Sequence, residues 1–272
     1  MSHALDDARY LLALANRIVA HEGVLDGFGH ISIRHPADPE RYLLARSRSP
    51  ELIEPSDILE FSLDSKLLTQ TSHLPYGECV IHGCIYQARP DVNAVCHHHS
   101  AAILPFCITG VALEPVNGLG ATMGVTVPFW DSRAEFGDTA MVVTTQEQGQ
   151  SLARALGSHA MVLMRRHGAT VVGATLQETV FRTIFSHRSA ELQLRAAALG
   201  AVAPLTRGEA ELAEAYSLRT RPMERAWEYI GRRALPRLAS CRRRGYRVEH
   251  DPRIRGAGLF RKPASTFRDH AL

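Results

Sequence analysis

His97-His98-His99 ends a largely apolar stretch that starts at Val92, and no other part of the 272-residue chain points so directly at chemistry. On a strand the side chains alternate, so His97 and His99 share one face and His98 takes the other. Two imidazoles on one rigid face can reach a single divalent ion at its bonding distance of about 2 Å. A third imidazole stands in Arg166-His167-Gly168, just after the apolar run Ala160 to Arg165, where the glycine permits a tight turn. Three neutral imidazoles and an open position describe a catalytic metal site rather than a closed structural one. A solvated histidine cluster is the competing reading, since imidazole is also an ordinary surface group.

Glu78 weighs on that choice. It begins a predicted helix over residues 77–88 that runs straight into the histidine strand, so the two elements can pack as neighbours. At a helix N-terminus a glutamate is commonly held by the helix dipole alone. Beside a divalent cation it can instead ligate the ion and then move protons once substrate arrives.

Several elements must position these groups. Ala8, Leu11, Leu12, Ala15, Ile18 and Val19 recur at helical spacing over residues 5–22, and Gly23 stops the run. The turn Gly27-Phe28-Gly29 leads into a strand over 30–34, which carries His30 and Ser32. No G-x-G-x-x-G opens a helix there, which disfavours a dinucleotide fold. Further strands are predicted over 42–45, 58–63, 92–99 and 160–165, with helices over 146–156 and 176–199. The Gly- and Pro-rich stretch 105–135 reads as loops that shape a site. There is no internal repeat and no low-complexity tract.

The length suits one large α/β domain with an extension, and 45% hydrophobic content is that of a globular protein. No apolar run approaches the ~18 residues of a membrane span. Asp6 and Asp7 interrupt any secretion-signal pattern, so a cytoplasmic enzyme is expected. Five cysteines without C-x-x-C spacing imply reduced, mostly buried thiols. From Arg207 onward there are 16 Lys/Arg against 8 Asp/Glu, a net of +8 that leaves the rest of the chain at −5. Tyr216, Trp227, Tyr229 and the run Arg242-Arg243-Arg244 in this basic extension are of types enriched at interfaces. A solvated arm packed on its own oligomer is the plain reading of this composition; an acidic neighbouring protomer or an anionic substrate is the binding one. Nucleic-acid binding is the disfavoured rival.

The stretch Tyr76-Gly77-Glu78, then His82, then Tyr86-Gln87-Ala88-Arg89-Pro90-Asp91-Val92-Asn93-Ala94-Val95 and His97-His98-His99-Ser100 resembles the class II aldolase/adducin family. Val162-Leu163, His167-Gly168, Val171-Val172-Gly173 and Thr175-Leu176-Gln177-Glu178 continue the resemblance, which spans roughly residues 5–200. It implies a three-layer α/β fold, a central mainly antiparallel sheet flanked by helices. The catalytic domain would cover residues 1–204 and a basic C-terminal extension residues 205–272. It also implies a homotetramer with active sites near subunit boundaries, metal ligands at His97, His99 and His167, and a catalytic carboxylate at Glu78. C-terminal segments lie close to those sites in the resembled family, so the basic extension is expected to pack on an acidic neighbouring protomer and help close the pocket over an anionic substrate. The donor set suits Zn, Mn, Fe or Co.

Sugar-phosphate aldolases of that family hold phosphate with small residues, and this sequence departs from their pattern. His30 stands in place of an asparagine, the loop reads Arg46-Ser47-Arg48-Ser49, and Tyr76-Gly77 replace a serine pair. Two arginines suit a planar carboxylate better than a phosphate cradle, although a solvated loop also fits. The departure resembles the family's decarboxylases of hydroxylated aromatic or heteroaromatic dicarboxylates. Arg46, Arg48, Ser49 and Ser32 become expected substrate contacts, with Glu78 or His30 supplying a proton to carbon. Three alternatives compete: an aldolase on a non-phosphorylated hydroxy-oxo acid, a non-haem Fe(II) oxygenase performing oxidative decarboxylation, and a non-catalytic interaction module. Retention of all three histidines with Glu78 argues against the last.

Overall fold

The computed structural model describes residues 2–238. Its elements, in chain order, are α1 (Ser2–His21), β1 (His30–Arg34), β2 (Arg41–Ala45), β3 (Ile58–Ser62), α2 (Cys79–Ala88), β4 (Ala94–His98), α3 (Leu104–Thr109) and β5 (Phe129–Trp130). There follow α4 (Ser132–Phe136), α5 (Gln146–Leu156), β6 (Met161–Met164), β7 (Gly168–Gly173), α6 (Leu176–Ala197), α7 (Arg207–Ser217) and α8 (Thr220–Leu238).

Seven strands form one sheet in the order β3-β2-β1-β4-β7-β6-β5, antiparallel at every junction except β5 beside β6. Strand alternation divides its residues between two cores. Ile31, Leu43, Ala45, Ala94 and Cys96 turn to one side, where they meet Leu11, Leu12, Ala15, Ile18 and Val19 of α1 and Val180 and Ile184 of α6. Tyr42, Leu44, Val95, Val162, Met164 and Val172 turn to the other, against Ile81, Ile85 and Leu152 of α2 and α5. The result is the three-layer arrangement expected, with β4 and β7 buried along their whole length at the centre. A strand covered on both faces reads as a continuous apolar run.

Three parts differ from expectation. The stretch 105–135 is not all loop: it contains α3, a 3-10 turn at Gly120–Met123, β5 and most of α4. Pro105 in the first turn of α3 and left-handed Gly110 at its end bound a helix of six residues, too short for its periodicity to be read. The strand β7 was not identified either, because its apolar centre is short and glycines bound it. The expected interface role of Trp227 is corrected as well. It is buried in the chain's own core with Ile230 and Ala234 of α8, which packs on α1 and α6. Tyr216 and Tyr229 remain exposed. Arg242-Arg243-Arg244 lie outside the described residues, as does Cys241, whereas Cys79, Cys84, Cys96 and Cys107 are free and buried as expected. Among the described residues, no helix is long and apolar enough to cross a membrane.

Candidate metal centre and active site

Four backbone devices bring the chemical groups together. β1 and β4 pair so that His30 lies opposite His97. The chain reaches β1 through Gly29 at φ +83°, where a Cβ would stand 2.9 Å from the His97 carbonyl oxygen. Only glycine tolerates both that conformation and that approach. The β6–β7 hairpin swings His167 to the end of β4. Its left-handed residue is Arg166, while Gly168 is needed for closeness, since a Cβ there would lie 2.2 Å from the His98 carbonyl oxygen. Finally, Glu78 stands at the N-cap of α2, and its side chain makes no capping hydrogen bond to that helix. The glutamate turns into the site instead, so the helix-dipole reading does not account for where its carboxylate goes.

Glu78, His97, His99 and His167 present ligand atoms that all lie within 4.8 Å of one another. His97 Nε2 is 3.0 Å from His99 Nε2 and 3.5 Å from one Glu78 oxygen, and the other Glu78 oxygen is 3.5 Å from His167 Nε2. Ligands about 2.1 Å from one tetrahedral ion are separated from each other by about 3.4 Å, so these spacings fit a shared cation. The tautomers fit too. His97 Nδ1 lies 3.2 Å from the Ala169 carbonyl oxygen, which can only accept, so Nδ1 carries the proton and Nε2 keeps its lone pair for a metal. His167 Nδ1 is buried without a partner. His98 is fully buried on the opposite face, with Nε2 unpartnered, so the alternation expected of the triple holds.

Burial keeps His99 and His167 neutral. It pushes His99 down to about 4 and His167 to about 3, with His97 adding to both shifts and Glu78 opposing them. Burial alone would raise the Glu78 carboxyl, but the imidazoles of His97, His167 and His30 outweigh it and hold the group well below the ordinary carboxylate range. Glu78 also accepts a 3.0 Å hydrogen bond from the Val143 N–H, a partner from a loop distant in sequence. A buried, ionised carboxylate set among imidazole nitrogens is suited to a divalent countercharge.

The other expected residues divide. The loop of Arg46, Arg48 and Ser49 is tied to the segment before Glu78: Arg46 bridges Pro75, Ser47 N–H donates to the Leu74 carbonyl, and the Tyr76 hydroxyl donates to the Arg48 carbonyl. Asp57, which the sequence reading missed, accepts from Arg46 Nε at 2.6 Å and from Arg48 Nη1 at 2.7 Å. Its carboxyl is held below the usual range, burial being overcome by Arg46, the Glu54 N–H and Arg48. Ser49 is partly exposed and starts a 3-10 turn. Ser32 was expected beside substrate, and that is corrected: it is wholly buried, its hydroxyl held by His82 and Tyr86. The alternation that brings His30 to the site turns Ser32 toward the same helix, one step deeper.

A sequence profile described as Class II Aldolase and Adducin N-terminal domain matches residues 11–194. The chain is 32% identical over 199 residues to Decarboxylase tropJ of Talaromyces stipitatus, covering 68% of this chain and 75% of that protein. It is 28% identical to the 3,4-dihydroxyphthalate decarboxylase of Arthrobacter keyseri, covering 74% and 82%. Among solved structures, the L-fuculose 1-phosphate aldolase of Glaciozyma antarctica superposes with a TM-score of 0.72 at 21% identity, covering 88% of this chain and 92% of that one. The chain belongs to the class II aldolase/adducin family, and its fold is that of the class II aldolases. Several of its curated relatives are decarboxylases.

Proposed function

We propose that this protein is a metal-dependent carbon–carbon lyase that decarboxylates a hydroxylated aromatic or hydroxy/oxo carboxylate. The carrying observation is the convergence of three imidazole nitrogens and one carboxylate within 4.8 Å. His97, His99 and His167 would hold the ion, with Glu78 as a further ligand or as the proton carrier. A divalent ion there (zinc, manganese, iron or cobalt by donor type) supplies Lewis acidity toward an oxygenated substrate carbon.

The chain's own residues do the rest. Arg46 and Arg48 hold the substrate carboxylate: Asp57 engages one nitrogen of each, and the loop is fastened to the segment that leads into Glu78. The ionised Glu78 carboxylate takes the proton of the substrate hydroxyl. The bond to the departing carboxylate then breaks, its electron pair stays on the substrate carbon, and CO₂ leaves. Glu78 returns its proton to that carbon, which balances the step. His30, opposite His97 in the sheet, is the second proton-bearing group at the site. The protein works as a homo-oligomer, a tetramer by family likeness, whose size sedimentation would measure.

Elemental analysis of the purified full-length protein, with a CO₂-release screen over hydroxylated aromatic carboxylates, tests this reading. About one metal per chain with metal-dependent CO₂ release is expected. An aldehyde product would assign an aldolase instead, and O₂ uptake requiring Fe(II) an oxygenase. A metal-free protein without turnover would return it to an interaction module.

A further inference from the structure

Behind the candidate metal site, His30 heads a chain of buried polar groups whose other members the reaction above does not use. His30 Nδ1 lies 2.6 Å from His82 Nε2, His82 Nδ1 lies 2.6 Å from Ser32 Oγ, and Ser32 Oγ lies 2.8 Å from the Tyr86 hydroxyl. His30 is 3% exposed, Ser32 and His82 0%, and Tyr86 1%. His82 and Tyr86 stand four residues apart on α2 and so share the face turned to the sheet. His30 and Ser32 alternate onto that same face of β1.

We propose that Tyr86, Ser32 and His82 are positioning residues that lock His30 with its proton on Nε2, making it a hydrogen-bond donor to an anionic substrate oxygen rather than a base or a fourth metal ligand. The argument is donor counting. A neutral imidazole has one N–H, so the His30–His82 contact holds one proton, and the chain has two self-consistent directions. In one, Tyr86 donates to Ser32, Ser32 to His82 Nδ1, and His82 Nε2–H to His30 Nδ1, leaving N–H on His30 Nε2. In the other every arrow is reversed, and the Tyr86 hydroxyl, which meets Ser32 and the Val95 backbone N–H, both then donors to it, is left a buried donor without an acceptor. Such groups are rare because leaving them unmade is costly. Burial, which lowers both imidazoles and raises the phenol, keeps all of these groups neutral.

The lock also accounts for a selection at the cluster. Four histidines crowd there, with the ring centroids of His30 and His97 5.3 Å apart, yet His30 is not in the group whose donor atoms converge. Its lone pair is turned to His82, and its N–H is the edge left for the site. The chain is not a proton wire, because exporting a proton would leave a phenolate buried at Tyr86. A ligand read by this N–H is one with an oxygen acceptor, a carboxylate or an ionised hydroxyl, beside the metal-binding position.

This inference rests on substrate meeting the metal centre, but its first test does not. Nitrogen-15 histidine spectra of the full-length protein, with zinc as a diamagnetic ion, should show N–H at Nε2 of both His30 and His82 and bare nitrogen at Nδ1 of both. A proton on His30 Nδ1 overturns the proposal whatever the enzyme catalyses. Ser32→Ala should mix the two tautomers and lower kcat about tenfold, with KM and metal content unchanged, and Ser32→Thr, which keeps a hydroxyl, should restore both. An unaltered spectrum and kcat in Ser32→Ala would equally overturn it. If Ser32→Ala fails to fold, the wild-type spectrum still decides. Absence of CO₂ release with the expected spectrum would sink the proposed reaction and leave the lock standing.

Discussion

The two ends of β4 present charged and polar groups in opposite conditions. At the C-terminal end, His97, His99, His167 and Glu78 converge with capacity left over. His97 Nε2 and His99 Nε2 lie 3.0 Å apart, one His167 nitrogen is orphaned, and a buried carboxylate is held ionised among the rings. At the N-terminal end a cavity of about 310 Å³ is lined by Arg89, Asp91, Glu178, Arg182 and Glu214. Its groups satisfy each other. Arg89 grips Asp91 with two nitrogens and the Gly157 carbonyl with another, and Arg182 holds Glu178, Glu214 and the Thr122 carbonyl. That end, for all its room, therefore has no unfilled bonding capacity to offer a ligand. What marks a site is convergent bonding capacity that the protein itself leaves unfilled, because only that can be given to a bound group without first breaking something.

Breaking the C-terminal end should have the largest effect. His97→Ala, His99→Ala and His167→Ala are each expected to lose the metal and at least about a hundredfold in turnover, since even disturbing groups around a metal costs 10–100-fold. His98→Ala, one residue from two of them, should keep metal stoichiometry and lose only stability, about 2 kcal/mol for an emptied buried site. Metal analysis of the four variants checks this, and full metal retention in His99→Ala would remove His99 from the ligands. Glu78→Gln should keep most of its metal yet lose about 10²–10⁴ in kcat, because an amide has the shape but cannot carry the proton. Wild-type turnover in that variant would leave Glu78 no more than a helix-start residue.

At the satisfied end the comparison predicts the reverse pattern. Arg182→Met should cost about 3 kcal/mol of stability by stranding Glu178 and Glu214, while KM and metal content stay as they were. A raised KM there would show that the cavity binds substrate after all.

The metal-free protein should also register the crowded imidazoles in its pH dependence. Burial holds His82 near 3, against an ordinary value of 6.5. Below 6.5 the unfolded chain takes up a proton that the folded one refuses, so stability is full above that pH and falls as pH drops toward 3. The slope is about 1.4 kcal/mol per unit for this one ring. Denaturation of metal-free protein between pH 7 and 5 measures it, and His82→Gln should flatten the curve. The smallest effect is expected at the loop: Arg48→Lys should raise KM about tenfold, since a point charge cannot replace a planar fork. Unchanged KM and kcat in both Arg46→Ala and Arg48→Ala would leave the loop as a brace for Asp57.

Much of the architecture was legible in the sequence. The helix over Gln146–Leu156 and the strand over His30–Arg34 have the predicted bounds, because period and flanking turn residues are local properties. The separation of His97 and His99 from His98 follows from strand alternation alone, and it holds. What local pattern could not reach lies in contacts far apart along the chain. Val143 closes on Glu78 from 65 residues away, Ser32 is drawn to His82 across 50, and Asp57 collects two arginines from the loop before it. A serine after a Gly-x-Gly turn looks the same whether it meets ligand or core, and only the packing of α2 on the sheet buries it. The sequence by itself determined which residues could do chemistry and which of them share a face. The tertiary structure decided which groups have their hydrogen-bonding capacity consumed and which keep it, because that balance is struck only between elements brought together by the fold.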